Sequence, residues 1–267
     1  MRNALWGATA LSVVMALGAC SKEAPEPTAA ADSNVGTTSE FVWLSQGTPA
    51  GESTVVRTGD GKETVESFVH WNNREYTTNS ELQLDADGMP IAQRITGTSP
   101  FGAGIDESFS YENGVASWST AGESGSVTTD DPGFYLPTEW GSLGVTTLVQ
   151  AALKNMDGEI ALLPSGTARV EKLTTADVET PDGTQTLSLY RISGLGFTPV
   201  YAWFDANTVV AVLDLGGYMG MFPKGWSSDV LDQLSTIQIA EDAKMIERIS
   251  GDLAHPLDAP EMFENVD

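Results

Sequence analysis

Along residues 41–126 apolar and polar positions alternate in short runs, and the runs stop at Gly, Asn or Asp clusters. A period of two broken by turn residues marks antiparallel strands with one buried face. It predicts strands over Phe41–Gln46 and over Glu63–His70, the latter entered through the tight turn Gly59-Asp60-Gly61. A strand–turn–strand unit follows at Glu81–Leu84, Asp85-Ala86-Asp87-Gly88 and Met89–Thr96. The same grammar recurs at Glu107–Tyr111, Glu112-Asn113-Gly114 and Val115–Ser119. It returns at Val200–Phe204, Asp205-Ala206-Asn207 and Thr208–Leu213. Asn-Gly and Asp-Gly stand where a tight hairpin demands positive φ. Leu82 with Leu84, Phe109 with Tyr111, and Tyr201 with Trp203 are the alternate apolar positions, expected on half-buried strands. Turn signals spaced by roughly 8–12 residues suggest a meander, a sandwich or an open barrel.

Two stretches change period. Leu143–Met156 is moderately apolar and bounded by Gly144 and Asp157-Gly158. Ser228–Ile249 carries Val230, Leu234, Ile237, Ala240 (or Glu241), Ile246 and Ile249 near helical spacing. Ser227 or Ser228 is placed to cap it, with Asp229 in its first turn. A long amphipathic helix after many strands needs an apolar face to cover. The expected fold is therefore α+β: a curved antiparallel sheet, a half-barrel-like meander, packed on one or two helices.

The N-terminus reads differently. Arg2 precedes an apolar run that ends in Leu17-Gly18-Ala19-Cys20. The run is short for a transmembrane helix and is followed by small residues, as in an export signal. The Leu-Gly-Ala-Cys ending resembles a bacterial lipoprotein lipobox. The resemblance implies that Cys20 becomes the mature N-terminus and carries a diacylglycerol on its thiol. It further implies that Ser21, in place of Asp, directs the protein to the outer membrane, facing the periplasm or the cell surface. Residues 21–40 hold no large apolar residue except Val35, which reads as a flexible tether. Its random-coil reach would be about 25 Å. The organisation expected is a signal peptide over 1–19, a lipid-anchored linker over 20–40, a β-rich domain over 41–250 and a connector over 251–267.

Composition narrows the function. Of 267 residues, 37 are Asp or Glu and 13 are Lys or Arg, a net charge of −24. Such a surface repels phosphates, so nucleic acid is not an expected partner, and an anionic membrane surface is disfavoured. Contact with a membrane is expected only through the lipid on Cys20. That Cys is the chain's only one; standing at the lipobox, it is neither a disulfide partner nor a metal ligand.

Chemistry is sparse. The two histidines are His70 and His255. A zinc site commonly takes three protein ligands, and no His-x-His or His-Glu-x-x-His occurs, so no metal or other cofactor is expected. His70, on a predicted strand beside Trp71, is read as a packed or surface histidine; a catalytic role would need a nucleophile beside it that the sequence does not supply. His255 falls in the connector and reads as solvated. There is no Gly-x-Ser-x-Gly elbow, P-loop or Gly-x-Gly-x-x-Gly. Asp85–Gly88 lacks the later oxygens of a calcium loop and reads as a hairpin turn. Asp130-Asp131 before Pro132 reads as a solvated turn. No catalytic residue is nominated. The tryptophans beyond the signal either line a pocket for a lipid or peptide or pack the core. Met219-Gly220-Met221-Phe222 with Trp226 is the densest soft apolar segment, a ligand surface or a buried strand.

A further series of segments is Phe134-Tyr135-Leu136-Pro137, Leu148–Leu153, Leu162–Gly166, Tyr190–Leu195, Phe197–Pro199, Val200–Asp205 and Gly225-Trp226. The series resembles the N-terminal β-rich region of exported bacterial amidohydrolase-family proteins, imidazolonepropionase-like enzymes included. The resemblance implies that Pro260–Asp267 opens a strand leading into a catalytic barrel. The histidine pair, Asp and Lys that hold metal in such barrels are missing, so no catalytic position carries over. Two readings follow. One is a non-catalytic accessory module of an amidohydrolase, with that catalytic module as partner and an exposed apolar patch near residues 250–267. The other is a stand-alone half-barrel lipoprotein that binds a lipid or hydrophobic peptide.

Overall fold

A computed structural model describes residues 36–139, 141–206, 208–214 and 218–254. The expected signal peptide and linker, Cys20, His255 and the Pro260–Asp267 segment lie outside the described residues. The first arm of the chain is β1 (Thr37–Ser45), β2 (Thr48–Arg57), β3 (Lys62–Trp71), β4 (Arg74–Leu84), β5 (Pro90–Thr98), β6 (Gly104–Glu112), β7 (Val115–Ser119) and β8 (Ser124–Thr128). Then come β9 (Phe134–Tyr135), α1 (Gly141–Ala152), β10 (Glu159–Leu163), β11 (Thr167–Thr180) and β12 (Gly183–Ser193). The last elements are β13 (Val200–Phe204), β14 (Val209–Asp214), β15 (Met219–Pro223) and α2 (Ser228–Leu253).

The first arm is a run of hairpins for a local reason. Gln46-Gly47, Asn72-Asn73 and Asn113-Gly114 each place two successive residues at positive φ. That backbone matches the right-handed twist of the flanking strands. The Asn113-Gly114 turn is the one expected from sequence; Gln46 and Asn73 stand where Asn and Gly are the usual signals. Pro181-Asp182 before Gly183 turns the long β11–β12 hairpin, in which Thr180 faces Gly183.

The strands form one large sheet in the order β8-β7-β6-β5-β4-β3-β2-β1-β15-β14-β13-β12-β11-β10-β9. Each strand pairs with its sequence neighbour except where β1 meets β15, Phe41 opposite Pro223 and Ser45 opposite Met219. That pairing joins the two arms. The expectation of a wholly antiparallel sheet is corrected at one edge: β9 runs parallel to β10, Phe134 opposite Leu162 and Tyr135 opposite Leu163. A parallel neighbour needs a crossover, and α1 supplies it. The sheet curls back on itself, because Tyr135 on the terminal β9 stacks on Phe109 of β6, ring centroids 4.4 Å apart and planes within 4°.

Two helices cover opposite faces of the second arm. Val145, Leu148, Val149 and Ala152 of α1 are buried with Phe41, Val55, Ala202, Phe204 and Met221. Val230, Leu231 and Leu234 of α2 are buried with Leu187, Leu189, Tyr201, Trp203 and Leu213. Tyr201 and Trp203 are thus not on a half-buried strand. Every residue of Tyr201–Phe204 is buried, one face under α1 and the other under α2.

The cap of α2 is as expected: Ser227 Oγ accepts from the Asp229 N–H at 3.2 Å. Gly220 lets the helix sit low, since a Cβ there would stand 3.0 Å from Leu231 Cδ1. Farther along, Gln238 Nε2 donates to the Leu213 carbonyl, and Tyr201 Oη donates to Asp242 Oδ1. The expected core positions Ile246 and Ile249 are instead exposed, as is Ile239. A helix of 26 residues is about 39 Å long at 1.5 Å per residue. Ile239 and Ile246 lie about 180° and about 160° round the helix from the buried Val230, and Ile249 follows the buried Leu231 on the same line about five turns later, near the end of the helix.

A candidate ligand cavity

Strand alternation builds the site. On β3 the residues Glu63, Val65, Ser67, Val69 and Trp71 face one side, and on β4 Arg74, Tyr76, Thr78, Ser80 and Leu82 face the same side. Cross-strand pairing arranges them in rows. One row runs Val55, Val65, Ser80, Ile95, and the next runs Ser53, Ser67, Thr78. Between this floor and a roof made by Phe134–Pro137 and α1 lies a cavity of about 340 Å³. Trp43 of β1 and Met219 of β15 close one side. The volume sits at the lower end of small-molecule sites, roughly 300–1,000 Å³.

The polar groups on this surface are largely committed to one another. Trp43 Nε1 donates to Ser53 Oγ at 2.9 Å, and Ser53 Oγ lies 2.8 Å from Ser67 Oγ. Glu63 is paired with Arg57 at 2.5 Å. Burial nonetheless pushes the Glu63 carboxyl above its ordinary value, outweighing the attraction of Arg57. Arg57 Nη2 is buried without a hydrogen-bond partner. Burial and the neighbouring Glu139 carboxylate push the Tyr76 hydroxyl up to about 12.

The roof is pinned from β6. Glu107, only 3% exposed, accepts through Oε1 from Tyr135 Oη and from the Thr138 N–H, each at 2.8 Å. Its Oε2 accepts from the Glu139 N–H at 3.3 Å. Burial, then Glu107, push the Tyr135 hydroxyl well up, so it stays protonated and donating. The mouth is aromatic: Trp71 meets Tyr218 edge to face at 6.4 Å. The Arg74 guanidinium sits 4.6 Å from the centroid of Phe101, whose ring is 82% exposed.

His70 is exposed on β3 and points away from the cavity, opposite Glu75. In the Asp85–Gly88 turn the Asp85 carboxylate accepts from its own loop, from the N–H groups of Asp87 and Met89. Asp131 Oδ1 likewise accepts from the Gly133 N–H. Among the described residues no three His, Cys, Asp or Glu side chains stand close enough to hold a metal, and no helix is long and apolar enough to cross a membrane. The aromatic question resolves both ways. Trp43 and Trp71 line the cavity, Trp203 and Trp226 pack under α2, and Trp118 lies over Gly125. The soft segment divides too: Met219 reaches the cavity while Met221 and Phe222 are buried. Glu63, Arg74, Tyr76 and Glu107 carry no motif, and Tyr135 entered only within the Phe134–Pro137 segment; the one signal available is polar residues at alternate positions of strands that face a core.

No family model and no curated protein matches the chain. Among solved structures it is similar to a β-barrel-like protein of the domain of unknown function DUF1849 from Brucella abortus. The identity is 10% and the TM-score 0.43, over 71% of this chain and 95% of that one.

Proposed function

We propose that this chain is an exported lipoprotein, anchored through a lipid on Cys20, whose half-barrel sheet cups an apolar ligand between β3–β5 and α1. The observation that carries this reading is the cavity itself: about 340 Å³ left open between a mostly apolar floor and a helical roof. Well-packed interiors leave few voids larger than a water molecule, so an apolar space of this size between floor and roof suits a ligand. The residues around it hold, orient and exclude water; they present no nucleophile–base pair.

Ser80 lies mid-row between Val65 and Ile95 and faces the cavity. Ser80→Phe fills the space with an aromatic ring. Organic extracts of wild-type protein are expected to contain a co-purifying amphiphile that extracts of Ser80→Phe lack, while both melt cooperatively. Identical extracts, or no binding of added dodecan-1-ol by either protein, overturn the reading. The anchor is tested apart: Cys20→Ala should move the full-length protein from the membrane to the soluble fraction, and a variant still in the membrane fraction refutes the lipid anchor.

The accessory-module reading is favoured by a different observation, the exposed Ile239, Ile246 and Ile249 on α2 just before residues 251–267. It expects Ile246→Glu to abolish association with a metal-dependent hydrolase module and to leave the extracted ligand unchanged.

A further inference from the structure

Charge around the cavity is unevenly satisfied. The Glu63 carboxylate has Arg57. The Glu139 carboxylate receives the Tyr76 hydroxyl. Arg74 has neither: among the described residues no carboxylate lies within ion-pair distance of it, and its charge rests on the exposed face of Phe101. A guanidinium over an aromatic ring keeps its N–H fork available, and that fork matches the oxygens of a carboxylate or phosphate. Arg74 is also the only Lys or Arg among the described residues that line the cavity. The unmet demand at the mouth is therefore for an anion, while the space behind it, over Val65, Val69 and Ile95, is apolar.

We propose that the cavity takes a single-chain amphiphile with an oxyanion head, the head on Arg74 at the mouth and the chain running inward over Val65, Val69 and Ile95. This rests on the apolar-ligand reading above and adds the head-group chemistry to it. The chain's net charge of −24 opposes an anion at long range. That field is screened beyond about 8 Å at physiological salt, whereas a head seated on Arg74 is within contact distance. The surplus carboxylates thus slow approach more than they weaken the seated complex. Glu139, near the Tyr76 hydroxyl, is the one lining carboxylate whose charge is not offset by a cation, and it limits the gain at Arg74.

The test uses the full-length chain carrying Cys20→Ala, so that no detergent competes for the cavity. Dodecanoate, dodecyl phosphate, dodecan-1-ol and dodecyltrimethylammonium are titrated by calorimetry at neutral pH and physiological salt. Both anions should bind about fivefold more tightly than the alcohol, the scale of a partly exposed charge-assisted contact. Arg74→Gln should erase that preference and leave dodecan-1-ol binding unchanged, and Arg74→Lys should keep part of it. The order of the two anions separates a fatty-acid carboxylate from a phosphate head. The proposal is overturned if the alcohol binds as well as the anions, if the ammonium binds best, or if the preference survives in Arg74→Gln. If none of the four binds, the apolar-ligand reading itself falls.

Discussion

Glu107 is a single carboxylate holding three donors, and removing its charge should loosen the roof of the cavity. In Glu107→Gln the side chain keeps its shape. An amide oxygen in the place of Oε1 still accepts from Tyr135 Oη and the Thr138 N–H. The amide nitrogen then stands where Oε2 accepts from the Glu139 N–H, donor against donor. Losing one hydrogen bond to a charged group and stranding a donor should cost about 2 kcal/mol. For a domain of this size that lowers the melting temperature by about 4–8 °C. Glu107→Ala strands all three donors beside a 3%-exposed site, and should cost about 4 kcal/mol. Urea denaturation measures the totals. Hydrogen exchange locates them: in Glu107→Gln the Thr138 and Glu139 amides should exchange faster, while strands β11 and β12 keep their protection. Wild-type stability in Glu107→Ala, or unchanged exchange at those two amides in either variant, would refute the claim that Glu107 holds the roof.

Two other perturbations follow from the same geometry. Glu63→Leu alone leaves Arg57 without a partner and should cost about 2–3 kcal/mol, since Arg57 keeps some solvent; Arg57→Met with Glu63→Leu should return to within about 1 kcal/mol of wild type. A double variant as unstable as the single would show that the pair is stabilising beyond its own desolvation. Alkali should act through the tyrosines. Tyr76 and Tyr201 ordinarily titrate near 10.0 and are pushed up to about 12, by burial first and then by Glu139 and Asp242 respectively. The folded state then keeps protons that the unfolded state releases, so their contribution is intact below pH 10.0 and falls as pH rises towards about 12. Unfolding midpoints should drop over that window, and Tyr76→Phe with Tyr201→Phe should flatten the drop; an equal slope in the double variant would remove tyrosine as the cause.

Several elements were readable from the sequence because their signals are local. The β6–β7 hairpin follows from alternation around Asn113-Gly114, and α2 from a capping serine ahead of a 3.6-residue apolar period. Others hid their signal. In β2 and β3 polar residues stand on the buried face, because Ser53 and Ser67 satisfy one another there. The turns at Gln46-Gly47 and Asn72-Asn73 use residues that only backbone geometry identifies as left-handed.

What the sequence determines by itself is whatever neighbours along the chain decide: hairpin turns, helix caps and the acidic composition. The tertiary structure decided the rest, because it brings together residues that no spacing relates. Glu107 meets Tyr135 across 28 positions, and β1 pairs with β15 across nearly the whole domain. The cavity exists only because α1 crosses over between β9 and β10 and roofs strands laid down some sixty residues earlier. Ile249 stands about five turns after Leu231 on the same line of the helix, yet only Leu231 is buried; Ile246 lies on another face, about 160° round from Val230. Period fixes which face of a helix is apolar; tertiary packing fixes how much of that face is covered.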